Sequence, residues 1–224
     1  YSRARNLRIT AKSLKNNFKG EFPNTYTELI QLKGIGDYTA SMILSVSFNK
    51  KYAAVDGNVL RFISRIEGIK KAINKNEGSL LIKKTVQKLI SEQRPGDFNQ
   101  ALMEFGATVC KKNKPDCNSC IFKKDCFAFT HNEVDSIPIK VKGSKKEKQY
   151  ISYFVCHNRQ TEEIIISQKE QGFWKKLFEF PGIVTKRRRS EKTDIKEFFQ
   201  SFNLLKSNSI IEISEEIKHI LSHR

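Results

Sequence analysis

Four cysteines crowd one stretch of the chain, Cys110, Cys117, Cys120 and Cys126, in the spacing C-x6-C-x2-C-x5-C. The chain has 224 residues and five cysteines in all; the fifth, Cys156, stands apart. An odd total with tight clustering argues against a secreted disulfide framework and for a metal site in a reducing compartment. Four thiolates can hold either Zn²⁺ or a [4Fe–4S] cluster. Zinc sites usually pair two C-x2-C knuckles, and only one such pair occurs here. Lys111, Lys112, Lys114, Lys123 and Lys124 surround the loop and suit it to phosphate. Cys156 lies on an apolar, β-like run and reads as a plain buried thiol.

Lys and Arg total 41 against 24 Asp and Glu, a formal charge of +17. A balance that basic implies an anionic partner, and DNA is the commonest. The alternative is a solvated, lysine-rich surface. No apolar run approaches the ~20 residues that span a bilayer, and no leader pattern opens the chain. A cytoplasmic protein with no membrane partner is expected. The chain starts at Tyr1 without Met and stops inside an apolar stretch, so truncation at both ends is expected too.

Apolar residues at helical spacing predict helices over 3–18, 38–48, 60–66, 78–92 and 97–110. Thr25-Tyr-Thr-Glu28 is a capping-box pattern opening a short helix to Gln31. Within 97–110, residues 98–107 read as an amphipathic stretch whose job is packing. Residues 140–148 hold five Lys, one Glu and a Gly, and read as flexible. Beyond them, 150–156 and 164–167 are β-like, with a helix near 192–202 and a strand near 209–213. The reading is a mostly α first domain over 1–131 with a cysteine loop at 109–127. A basic linker follows over 132–148, then an α+β second domain over 149–224.

Two segments of the first domain carry candidate chemistry. Leu32-Lys33-Gly34-Ile35-Gly36-Asp37-Tyr38-Thr39-Ala40 places two glycines, each free to take φ > 0, just ahead of a helix. Unpaired amides and the helix dipole at such a place bind anions. An ordinary corner between helices would look similar. In Ala54-Val55-Asp56-Gly57-Asn58-Val59, Asp56 precedes another helix, where capping is its commonest role. A carboxylate there could equally stabilise positive charge on a sugar.

Taken together, these segments resemble the endonuclease III superfamily of helix-hairpin-helix glycosylases, and within it the MutY adenine glycosylases. Leu-x-Gly-Ile-Gly-x-x-Thr-Ala over 32–40 is similar to the family's hairpin, with Lys33 where Pro is usual. The cysteine spacing is similar to the family's cluster loop and implies a [4Fe–4S] cofactor on Cys110, Cys117, Cys120 and Cys126. Val55 to Arg61 resembles the MutY catalytic segment, which implies Asp56 as the catalytic carboxylate and Asn58 as its aid. Endonuclease III carries a Lys two residues after the second hairpin glycine, and its amine forms a Schiff base. Tyr38 stands there instead, which implies a monofunctional enzyme. Lys33, Gly34, Ile35, Gly36 and Thr39 are the implied DNA contacts, and Asp37 is expected to weaken that contact slightly. Phe98 to Ala107 is also MutY-like.

The second domain resembles the Nudix-like domain of MutY, through Gly172-Phe-Trp174 to Phe180-Pro181-Gly182 and His219-Ile-Leu221-Ser222-His223. By resemblance Ser222 and His223 contact 8-oxoguanine. A true Nudix hydrolase would need an R-E-x-x-E-E run, which is missing between Gly172 and Phe202. The implied function is removal of adenine opposite 8-oxoguanine or guanine in double-stranded DNA, by a monomer. The family's general-acid Glu falls upstream of Tyr1, so this stretch alone is expected to show little activity. A bifunctional endonuclease III-like lyase and a non-catalytic DNA-binding fragment are the competing readings.

Overall fold

The computed structural model describes residues 1–142, 148–172, 174–201 and 213–218. The chain forms two compact units, Tyr1–Lys142 and Gly143–Arg224. The first contains α1 (Ser2–Asn17), α2 (Tyr26–Gln31), α3 (Asp37–Ser47), α4 (Gly57–Ile66), α5 (Asn76–Leu89), α6 (Pro95–Thr108) and α7 (Phe127–Thr130).

Local chemistry sets where these helices begin. Thr25 caps α2, its hydroxyl accepting from the Glu28 amide at 3.4 Å and bonding the Glu28 carboxylate. Pro95 opens α6 at the first turn, where a missing N–H costs nothing. Helix α4 starts at Gly57, three residues before the apolar periodicity predicts, because Asp56 accepts from the Asn58 and Val59 amides at 2.9 and 2.8 Å. Such a cap contributes about 1 kcal/mol.

Two apolar clusters hold the unit together. Leu14, Leu29, Leu32, Ala40 and Leu44 join α1, α2 and α3. Ala53, Val59, Phe62, Ile63, Ile73, Ile82 and Val86 join α4 and α5. Each fully buried Leu, Ile or Phe contributes about 1.5–3 kcal/mol. Helix α6 packs against both α3 and α4. Two glycines permit that approach: a Cβ on Gly96 would sit 3.0 Å from the Ser45 carbonyl oxygen, and one on Gly106 would sit 2.8 Å from the Asn58 Cβ.

The stretch predicted as linker departs from the reading over 132–142. Ile137 is buried, and its carbonyl accepts from Arg65 Nε at 2.9 Å. The Ile73 amide donates to the Ile139 carbonyl at 3.0 Å, and Asn74 bonds both backbone groups of Val141. Charge and polarity suggested a free tether, but the buried Ile137 and these backbone hydrogen bonds hold it on the helical unit, while the Ile139 and Val141 side chains stay exposed. Residues 143–147 lie outside the described residues.

The second unit contains three two-stranded antiparallel ladders among its described residues. β1 (Tyr150–Tyr153) pairs with β6 (Gly182–Thr185), Tyr150 opposite Thr185. β2 (His157–Asn158) pairs with β3 (Glu163–Ile164), and β4 (Ser167–Gln168) with β5 (Phe178–Glu179). Helix α8 (Glu191–Ser201) stacks the buried Phe198 on Phe154, with ring centroids 3.9 Å apart. The apolar run at 164–167 is split between β3 and β4, and Ile164, Ile165 and Ile166 stay exposed. The strand expected at 209–213 falls almost wholly outside the described residues, as do Ser222 and His223.

Candidate active site

Helices α2 and α3 enclose the hairpin. Gly34 has φ +90°, the left-handed region, and a Cβ there would also strike Asn6 of α1 at 2.8 Å. Gly36 differs from expectation: its φ is −99°, an extended conformation that any residue adopts. A Cβ built there would meet nothing within 4 Å, so the fold itself does not require glycine at this position. Gly36 N-caps α3 without a side-chain bond, so the first amides of α3 have no intrahelical partner. Lys33, Gly34, Gly36 and Thr39 are exposed around this opening, and Ile35 is half-buried.

Asp37 also departs from expectation. Its carboxylate accepts from the Tyr26 hydroxyl at 2.6 Å and pairs with Lys83 of α5. Burial pushes the Asp37 carboxyl up, but the bonds from Lys83 and Tyr26 outweigh it and hold it below the usual carboxylate range. The same contact, helped by burial, drives the Tyr26 phenol up to about 12. The charge expected to weaken the DNA contact slightly is thus paired within the fold.

Asp56 sits at the start of α4. Oδ1 accepts from two backbone amides, and Oδ2 accepts from Asn58 Nδ2 at 2.9 Å. Asn58 is itself held: Arg61 donates to its Oδ1 at 2.9 Å. Arg61 also donates to the Gly106 carbonyl and, through Nε, to the Cys110 carbonyl at 2.7 Å. Gly57 has open space at its missing Cβ. Tyr38, in the first turn of α3, lies close enough that the Asp56 charge raises its phenol pKa, burial being the larger cause. The Tyr38 hydroxyl donates to Met103 Sδ at 3.1 Å. Tyr38 thus links the helix after the hairpin to α6, and a Cβ on Gly106 of α6 would meet Asn58 beside Asp56.

Sequence reasoning missed the residues that hold this arrangement. Asn99, assigned only to a packing helix, is fully buried and bonds the loop before Asp56. Arg61 and Arg65, one turn apart on α4, are the other omission. A buried Arg needs acceptors, and Arg65, only 3% exposed, finds them in the Ile137 and Lys111 carbonyls. The available signal was polar residues at core positions of amphipathic helices.

Cys110, Cys117, Cys120 and Cys126 all line one small cavity, walled also by Phe62, Arg65 and Phe122. Arg65 Nη1 lies 3.4 Å from Cys110 Sγ, and the Cys126 thiol meets the Arg65 carbonyl at 3.6 Å. Burial first, then the neighbouring thiols, push Cys117 and Cys120 up. Among the described residues, no three His, Cys, Asp or Glu side chains converge on one ion position. Around the cavity Lys111, Lys112, Lys114 and Lys124 are exposed, while Lys123 covers the Phe129 ring at 5.0 Å. Cys156, outside the loop, is half-buried, and burial raises its thiol pKa.

In the second unit the basic run 186–189 is partly consumed internally. Arg188 pairs with Glu216 at 2.8 Å, and Arg189 with Glu197 at 2.6 Å and Asp194 at 3.4 Å.

The helix-hairpin-helix motif family matches residues 17–46, the segment that holds α2, the hairpin and α3. The adenine DNA glycosylase of Buchnera aphidicola subsp. Baizongia pistaciae is 36% identical over 228 residues, covering 100% of this chain. This chain is similar to adenine DNA glycosylases over its whole length. The Arabidopsis thaliana enzyme of that name is 35% identical, again across 100% of the chain. The chain spans 61% of the Buchnera protein and 39% of the Arabidopsis one. A thermostable thymine-DNA glycosylase superposes with TM-score 0.53 at 31% identity, over 58% of this chain and 59% of that one. An endonuclease III in a non-covalent DNA complex superposes with TM-score 0.51 at 27% identity, over 58% of this chain and 59% of that one. The helical glycosylase fold is common to them. In the described residues no helix is long and apolar enough to cross a membrane.

Proposed function

We propose that this chain forms the sugar-side half of a monofunctional DNA glycosylase. Its substrate is adenine mispaired with 8-oxoguanine or guanine in double-stranded DNA, and it acts as a monomer. The observation that carries the reading is the Asp56 carboxylate fixed at the start of α4 by Asn58 and two backbone amides. Cleaving an N-glycosidic bond builds positive charge on the sugar, and a fixed carboxylate stabilises or captures it. Asn58 and two amides orient Asp56 for that task. Tyr38 offers a phenol where a lyase needs an amine, and a phenol forms no Schiff base. This disfavours the endonuclease III-like alternative. The open amides of α3 and Lys33 take a DNA phosphate, which positions the duplex without reading sequence. Adenine leaves the base stack before reaction.

The four thiols suit a [4Fe–4S] cluster better than zinc. Zinc sites usually pair two C-x2-C knuckles, and only one such pair occurs here. A cubane spreads its thiolates around a larger volume, which fits thiols distributed over the walls of one cavity. When bound, the cluster supplies a covalent brace for residues 110–126, whose exposed lysines then meet phosphates. The second unit we assign, on its resemblance alone, to a Nudix-like reader of the opposite base, with Ser222 and His223 as its contacts.

The test uses the full-length protein and a duplex carrying adenine opposite 8-oxoguanine. Free adenine should appear, the strand should break only after alkali, and borohydride should trap no adduct. A trapped adduct, or a nick without alkali, would overturn the monofunctional reading. Elemental analysis should give about four iron atoms per chain and no zinc.

A further inference from the structure

One face of α6 meets α3, α4 and the loop that leads to Asp56. Gly96, Asn99, Met103 and Gly106 fall in one stripe about 80° wide at 100° per residue. Gly96 lies against Ser45 of α3, Met103 accepts from Tyr38 of α3, and Gly106 lies against Asn58 of α4. Ser45 and Tyr38 are seven residues apart, as are Gly96 and Met103, so the two helices run antiparallel in matching register.

Asn99 acts on the remaining piece, the loop that leads to Asp56. Its Nδ2 donates to Ser45 Oγ and to the Tyr52 carbonyl, both at 2.9 Å. Its Oδ1 accepts from the Ala54 amide at 3.1 Å. From the other side, Gln87 of α5 accepts from the Ala53 amide at 2.9 Å and donates to the Lys51 carbonyl at 2.8 Å. Backbone groups of four consecutive residues, 51–54, are thus clamped between two carboxamides, two residues before Asp56. Packing alone does not need this arrangement. A Leu fills the same volume without the cost of burying an amide, whereas a satisfied buried amide fixes one loop conformation.

We propose that α6 aligns the site and that Asn99 is a positioning residue for base release, setting Asp56 against Tyr38 without touching substrate. The inference rests on the glycosylase reading above. Displacing a reacting group by 1 Å can cost about 100-fold in rate.

The experiment is single-turnover adenine release by the full-length protein, alongside DNA affinity. Asn99→Leu should lower the rate constant about tenfold to 100-fold, with the DNA dissociation constant within about twofold of wild type. Asn99→Asp is the second variant. Only its neutral acid can still donate to Tyr52, and burial raises the pKa of such a group. Its rate relative to wild type should therefore rise as pH falls. A folded Asn99→Leu protein with a rate within about twofold of wild type overturns the proposal. Should that variant not fold, a pH-independent ratio for Asn99→Asp overturns it. If wild type itself releases no adenine, the glycosylase reading fails as well; an active wild type with silent Asn99 variants removes only the positioning role.

Discussion

Arg61 donates one hydrogen bond to Asn58 and another to the Cys110 carbonyl, at 2.9 and 2.7 Å, so one side chain ties the Asp56 loop to the cysteine loop. With the Gly106 carbonyl and, at 3.5 Å, the Gly57 carbonyl it reaches four acceptors. Arg61→Ala leaves them to compete for little water. It should cost about 1–3 kcal/mol, read as a lower midpoint in thermal or urea unfolding. Arg61→Lys offers one point charge for a planar fork and should recover only part of the loss. Equal stability of Arg61→Ala and wild type would remove the tie.

Asp56→Asn separates the two roles of that residue. Asn caps a helix about as well as Asp, so stability should change by less than about 0.5 kcal/mol. Adenine release should fall below detection while DNA binding persists, because the lost charge acts on the sugar and not on the phosphates. Parallel loss of binding and release would leave Asp56 as a cap only.

The Tyr26–Asp37–Lys83 contact predicts an order of effects on DNA binding. Lys83→Met frees a carboxylate beside the hairpin amides and should weaken binding several-fold at low salt. Asp37→Asn removes a charge already neutralised and should change affinity little. The reverse order would mean that Asp37 faces the phosphate after all.

The same contact sets an acid limb of stability. The folded Asp37 carboxyl is held below its ordinary value. Its contribution is therefore present above the unfolded pKa of ~3.9 and lost as pH falls through the folded value. Solvent exposure makes the effect small. Between about pH 4 and 2 wild type should lose more stability than Asp37→Asn; identical acid curves for the two would contradict the pairing.

Much of the site was legible because its chemistry is local. Asp56 and Asn58 are two residues apart, Gly34 and Gly36 flank one turn, and the cysteines share one loop, so spacing alone brought each set together. Helix periodicity likewise placed α1 to α6 to within a few residues, the ends shifting where caps such as Asp56 and Pro95 decide. What spacing could not show was which sets meet. Tyr38 reaches Met103 across 65 positions, Asn99 reaches Ala54 across 45, and Asp37 finds Lys83 across 46. Those partners depend on how α6 packs into α3 and α4 through two glycines, and on whether a buried polar atom is satisfied. Residues 137–141 show the same limit: read as part of a basic tether, they are held by Arg65, Ile73 and Asn74, partners far off in sequence. Sequence by itself determined the reactive groups and the local turns that expose them; tertiary packing decided their distances and their charges, because those depend on neighbours that no local pattern encodes.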